Sequence, residues 1–199
     1  MATIGNAPVF PTESVLPGNL QVTGNATISG SSATVNGDEV RTVGTSGAIL
    51  QVVQATTTTE VTVNTTTYTD TTLSASITPS SSTNKILIMV MQSCVNTRAS
   101  SAVGHGIRLL RDSTVIWTPQ TSPTGPFLWY ANAGGASSNE LDGTFIVNYL
   151  DSPSTTSSVT YKTQGRPHTN TNSGVVYYQY TATNYTTQVS TMLLMEVVA

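Results

Sequence analysis

Charge is scarce in this sequence. Of 199 residues only 9 % are Asp, Glu, Lys or Arg, against roughly 25 % in an ordinary soluble domain. Seven basic residues face ten acidic ones, for a net charge of -3. So few cations cannot neutralise a row of phosphates, which argues against nucleic acid and anionic membrane surfaces as partners. Cysteine is almost absent. Cys94, in the apolar stretch ILIMVMQSCV, permits no intrachain disulfide and reads as a buried free thiol. Long hydrophobic runs are missing too: the longest, from Ile86 to Met91, is about a third of what a bilayer requires. The opening MATIGNAPVFPTESVLPG has no basic residue and no apolar h-region. No signal peptide or membrane insertion is therefore expected, and synthesis in a cytoplasm is.

What the chain does have is hydroxyls. Hydrophobic residues make up 38 %, enough for a core, and Thr with Ser supply about 30 % of the chain where Lys and Glu would be sought. Three zones differ in texture. Residues 1–17 hold Pro8, Pro11 and Pro17 among scattered apolar side chains, Ile4, Val9, Phe10, Val15 and Leu16. Such a segment cannot form a core alone and its prolines keep it extended, so it reads as an arm that orders against something else. Residues 18–46 alternate short apolar and polar pieces between Gly-Asn, Gly-Ser and Asn-Gly pairs. Leu20, Val22, Ile28 and Val35 could pack against copies from neighbouring chains in a short three-sided β shaft; a Gly/Ser linker is the competing reading.

From residue 47 to 199 the period is that of strands. Candidates are AILQVVQA, EVTVNTTTY, TLSASIT, KILIMVMQSCV, two strands in GIRLLRDSTVIW joined at Asp112-Ser113, then FLWYA, TFIVNYL, SVTYKT, GVVYYQYT and QVSTMLLMEVV. The near-continuous run KILIMVMQSCV predicts a central strand covered on both faces. No window shows a helical period, and Thr, Val and Tyr suit a pleated surface. The fold class is all-β, an antiparallel sandwich or barrel.

Chemistry is hard to find. There is no G-x-S-x-G elbow, P-loop, H-E-x-x-H or cysteine pair, and the thinly spread carboxylates form no evident acid/base couple. No enzyme activity, metal or cofactor is expected. His105, between two glycines, and His168 read as loop histidines, and Asp38-Glu39 as a solvated turn rather than a calcium ligand set. Surface recognition remains. Trp129 and Tyr130 lie in a Pro/Gly/Asn-rich stretch between strands, where binding residues concentrate, and Tyr178 belongs to a second aromatic group. Adjacent Tyr177 and Tyr178 must point to opposite faces, so at most one of them is core.

The segments ILQVVQATTTTEVTVNTTTYTDTTLSASITPSSSTNKILIMVMQS, IRLLRDSTVIW, YLDSPSTTSSVTYKT and MLLMEVVA, with the opening IGNAP and GNLQVTGNATISGSSATVNG, resemble tail-fibre and head-decoration proteins of tailed bacteriophages. The resemblance implies a homotrimer on the outer surface of the virion. Its parts would be an arm docked on a major capsid or tail protein, an intertwined shaft, and a jelly-roll knob similar to the tumour-necrosis-factor superfold. It implies attachment to a host-surface glycan or protein, or alternatively a capsid decoration (cement) role. The chain is far shorter than a typical tail fibre, and the His-x-His metal repeat of some fibre tips is absent.

Overall fold

The computed structural model describes residues 34–35, 38–39, 46–98, 103–118, 128–130, 139–168, 174–181 and 187–199; at 34–35, 38–39, 98, 103, 128–130 and 139–141 it describes the backbone alone. The chain divides into two compact units, Met1–Val43 and Gly44–Ala199. In the first, β1 (Thr34–Val35) and β2 (Asp38–Glu39) form a minimal antiparallel ladder, Thr34 opposite Glu39 and Val35 opposite Asp38. Asp38 and Glu39 are thus strand residues, not the turn their composition suggests. The arm residues Ile4, Val9, Phe10, Val15 and Leu16 and the shaft residues Leu20, Val22 and Ile28 lie outside the described residues, as does the side chain of Val35.

The second unit contains β3 (Ile49–Thr57), β4 (Val61–Val63), β5 (Thr69–Ile77), β6 (Lys85–Arg98), β7 (Val103–Arg111), β8 (Thr114–Trp117), β9 (Leu128–Tyr130), β10 (Asn139–Asp151), β11 (Val159–Pro167), β12 (Val175–Tyr178) and β13 (Ser190–Val197). No helix occurs among the described residues. Each element coincides with a predicted strand, because β-branched and aromatic side chains alternate with hydroxyls and so fit a half-buried pleat. The Asp112-Ser113 turn forms as expected. Asp112 takes a positive φ of 53°, and its N–H and carboxylate bond the Thr160 backbone at 2.7 and 3.0 Å.

The pairing is antiparallel throughout. In the first sheet the long strands run β3–β13–β6–β10; β12 extends the row of β13 along β6, and β4 pairs with β12. In the second they run β5–β11–β7–β8, with β9 on the other end of β7. Eight of the strands, divided four and four in these orders, make a jelly roll. Inward side chains of both sheets, among them Leu73, Ile86, Ile88, Ile107, Leu109, Tyr161 and Leu194, merge into one apolar core. At an order of 2 kcal/mol per fully buried large side chain, this core is the main source of stability.

Strand β6 departs from expectation. It is central in its sheet, but burial alternates: Ile86, Ile88 and Val90 are buried, whereas Met89 and Met91 are 40 % and 56 % exposed. A two-layer sandwich covers one side of each sheet only. Among the described residues, Met89 and Met91 of the apolar run therefore have no second layer over them.

Candidate functional site

The core is not purely apolar. Beyond Val90, the inward position of β6 is Gln92, whose Oε1 accepts from Thr163 at 2.8 Å and Thr71 at 3.0 Å and whose Nε2 donates to Ser190 Oγ at 2.9 Å. The Gln179 carboxamide completes the set. Its nitrogen points at the carbonyls of Thr71 (3.1 Å) and Thr59 (3.0 Å), and its oxygen accepts from Ser190 Oγ at 2.7 Å. All five polar side chains are buried. Partnered in this way they fix the facing of the sheets, since a slip would leave buried polar groups unpaired.

One level further, Cys94 Sγ lies 2.8 Å from His105 Nε2, and Phe145 meets the imidazole edge-on with centroids 5.3 Å apart. His105 is a strand residue of β7 and fully buried, not a loop histidine. Burial lowers its pKa to about 4 and, helped by the charge of Asp142, raises that of the Cys94 thiol. Both groups are neutral at pH 7, so the thiol donates to Nε2 and no thiolate forms. Nδ1 has no hydrogen-bond partner among the described residues. The expected buried free thiol is thus present, with a partner that the sequence did not reveal.

Tyr178 is 0 % exposed; its hydroxyl donates to the Gly106 carbonyl at 3.0 Å. It crosses β11 so closely at Gly165 that a Cβ there would overlap the phenol. This is a core position, which removes Tyr178 from the surface-recognition candidates. The alternation rule sends Tyr177 the other way, where its ring meets that of Tyr180 at 5.2 Å. Trp129 and Tyr130 pair through their backbones with Gly104 and Val103; their side chains lie outside the described residues.

At the other end of the sandwich the carboxylate of Glu196 is held by four neutral donors: Gln51 Nε2 at 2.6 Å, Ser80 N at 2.6 Å, Ser80 Oγ at 2.7 Å and Asn84 Nδ2 at 2.7 Å. Burial alone would raise its pKa, but these bonds outweigh that and hold it at about 2. Glu196 thereby ties the segment between β5 and β6 to the last strand. Among the described residues no group of three or more His, Cys, Asp or Glu converges to hold a metal ion.

The outer faces differ in kind. Across β3, β13, β6 and β10, register places Val52, Met195, Leu87 and Leu150 in one row. Gln54, Leu193, Met89 and Asn148 form the next, then Thr56, Thr191, Met91 and Ile146. None of these twelve carries a charge, and Ile146 is 67 % exposed. The opposite sheet turns a polar net outward. Lys162 Nζ bonds Asp70 at 2.9 Å and Gln164 donates to the same carboxylate at 2.6 Å. Arg108 donates to Gln164 Oε1, and its guanidinium stacks over Tyr68 at 4.4 Å, with Arg166 at 5.1 Å from the same ring. Ser76 and Thr160 pair across the strands at 2.8 Å.

No protein-family model matches the sequence, and no curated protein does either. Among solved structures, that of infectious bursal disease virus (Gt strain) aligns over 82 % of this chain and 44 % of the viral chain, at 15 % identity and a TM-score of 0.28. The present chain thus spans less than half the length of that one. So low a score carries no argument, and the jelly-roll assignment rests on the strand pairing itself. No helix among the described residues is long and apolar enough to cross a membrane.

Proposed function

We propose that this chain is a non-enzymatic structural protein of a bacteriophage virion. In this reading it is a short trimeric fibre or spike, anchored through residues 1–17 to a capsid or tail protein and presenting the sandwich of residues 47–199 outward, towards a host-surface glycan or protein. The observation that carries the reading is an all-β knob whose six-stranded sheet turns outward three central rows of apolar and neutral side chains, exposed or partly exposed among the described residues, as expected of a component made to be assembled. The resemblance of IGNAP, the Gly/Asn-punctuated stretch and the strand segments to phage fibre and decoration proteins supports it.

Labelling intact particles of the encoding phage with an antibody against the knob tests this directly. Label on the outer surface is expected; particles without label, from lysates that contain the protein, would overturn the reading. Label confined to the capsid shell would shift the role from fibre to decoration, in which trimers clamp neighbouring shell subunits. Deleting residues 1–17 is expected to abolish attachment in either role.

A further inference from the structure

We infer that the outer face of the six-stranded sheet is the surface on which a further copy of this chain packs. The inference rests on the reading of the protein as part of an assembly, and names the surface and the partner that reading leaves unspecified.

Three observations carry it. First, the exposed large hydrophobics are not scattered. Of the nine among the described residues, eight lie on β3, β6 and β10 or just before β13, and only Val115 sits on the other sheet. Half-exposed side chains of this size leave on the order of 600–700 Å² of apolar surface in all. That exceeds the ~300–600 Å² of the largest patch on a typical monomer and approaches the ~800 Å² per partner of a standard interface.

Second, the face selects its partner by what it omits. A binder of charged peptides or acidic glycans needs convergent cations, and those stand on the opposite sheet as Arg108, Lys162 and Arg166. The three central rows offer only Val, Leu, Ile and Met with the neutral groups of Gln54, Thr56, Thr191 and Asn148. A copy of the same surface meets these with like chemistry, apolar on apolar and amide or hydroxyl on amide or hydroxyl, and leaves no charge unpaired. Third, pleated sheets pack face to face through such rows of outward side chains, the geometry already used inside the sandwich.

The test uses the full chain at micromolar concentration. Light scattering is expected to give a multiple of the subunit mass. Met91→Lys with Ile146→Lys, both at exposed positions, is expected to lower that mass at least twofold while far-ultraviolet circular dichroism keeps its strand signal. Arg108→Ala with Lys162→Ala, on the other sheet, should leave the mass unchanged. Retention of the multimer by the folded Met91/Ile146 variant overturns the inference.

A second measurement needs no variant. In assembled wild-type protein, peroxide should oxidise Met89 and Met91 about as slowly as Met192, which is fully buried within the chain. Rapid oxidation of Met89 and Met91 with Met192 protected overturns the proposed surface alone. The multimer would then be held elsewhere, and the virion reading would stand on particle labelling. A wild-type monomer at every concentration overturns both the trimer and this interface, whatever the oxidation rate of Met89 and Met91 in it.

Discussion

The two sheets of the sandwich are built alike inside and oppositely outside. Each contributes alternate side chains to one core. Turned outward, the six-stranded sheet shows Val52, Met89, Met91, Ile146 and Leu150, whereas the five-stranded sheet shows Asp70, Lys162, Gln164, Arg108 and Arg166 in a connected polar net. Four charged side chains thus share one outer face, while the three central rows of the other carry none. The difference teaches that low overall charge does not mean a uniformly neutral surface: one face is left for solvent, the other for packing.

The comparison presupposes that the sheets meet along a rigid seam, and the largest predicted effect tests that seam. Tyr178, from the six-stranded sheet, lies against Gly165 of the five-stranded one with no room for a Cβ. Gly165→Ala should cost about 3 kcal/mol, as the new Cβ would overlap the Tyr178 phenol and that fully buried ring can move only by displacing its packed neighbours. Tyr178→Phe should cost only about 1 kcal/mol, the worth of its hydrogen bond to Gly106. Urea unfolding midpoints decide between them; equal losses would mean that shape at the seam matters no more than a single polar contact.

The Cys94–His105 contact joins the same two sheets and makes the seam sensitive to acid. An unfolded imidazole takes up its proton below pH 6.5, whereas burial delays protonation of His105 to about pH 4. The unfolded chain thus binds more protons in that window. Stability is full above pH 6.5 and declines as pH falls towards 4, by on the order of 3 kcal/mol. His105→Asn should flatten this limb in unfolding experiments run across the window. An unchanged slope would locate the acid sensitivity elsewhere.

Much of this was legible in the sequence. Every strand of the sandwich could be located because Val, Ile, Tyr and Thr recur at period two, and the Asp112-Ser113 turn because Asp tolerates a positive φ. Pairwise facts were not legible. KILIMVMQSCV predicts burial on both sides, and nothing in a one-dimensional run tells that only one layer covers it. Gln92 interrupts that run as a polar residue, the one local sign of the buried network, but its partners Thr71, Thr163, Gln179 and Ser190 come from four other segments. His105 reads as a loop residue because its flanking glycines suggest a turn. In the fold the short sequence Gly104-His105-Gly106 lies buried in β7, where the Gly106 carbonyl meets Tyr178. Tyr68 with its two arginines likewise depends on separate segments meeting on one face.

A smaller effect is expected at the opposite end of the core, where the six-stranded sheet anchors the segment leading out of the five-stranded one. Glu196→Gln keeps the shape but removes the charge that strengthens bonds from Gln51, Ser80 and Asn84, and should cost about 2 kcal/mol. In the wild type the folded carboxyl stays ionised down to about pH 2 while the unfolded one protonates near 4.5. This contribution is therefore present above pH 4.5 and is lost as pH falls towards 2. The acid profile of the knob should show it as a limb below that of His105, absent in Glu196→Gln.

The smallest effect belongs to the polar outer face, and it is the sharpest check on the contrast between the faces. Asp70 and Lys162 form an ion pair at 2.9 Å, but both side chains are partly exposed. Coulomb attraction in so wet a place is largely offset by the ordering of two side chains. A double-mutant cycle of Asp70→Asn and Lys162→Ala should give a coupling below about 1 kcal/mol, shrinking further in molar salt. A coupling of several kcal/mol that survives salt would make the net a structural device as indispensable as the seam. The two outer faces would then differ in the kind of cohesion they supply, not in whether they supply any.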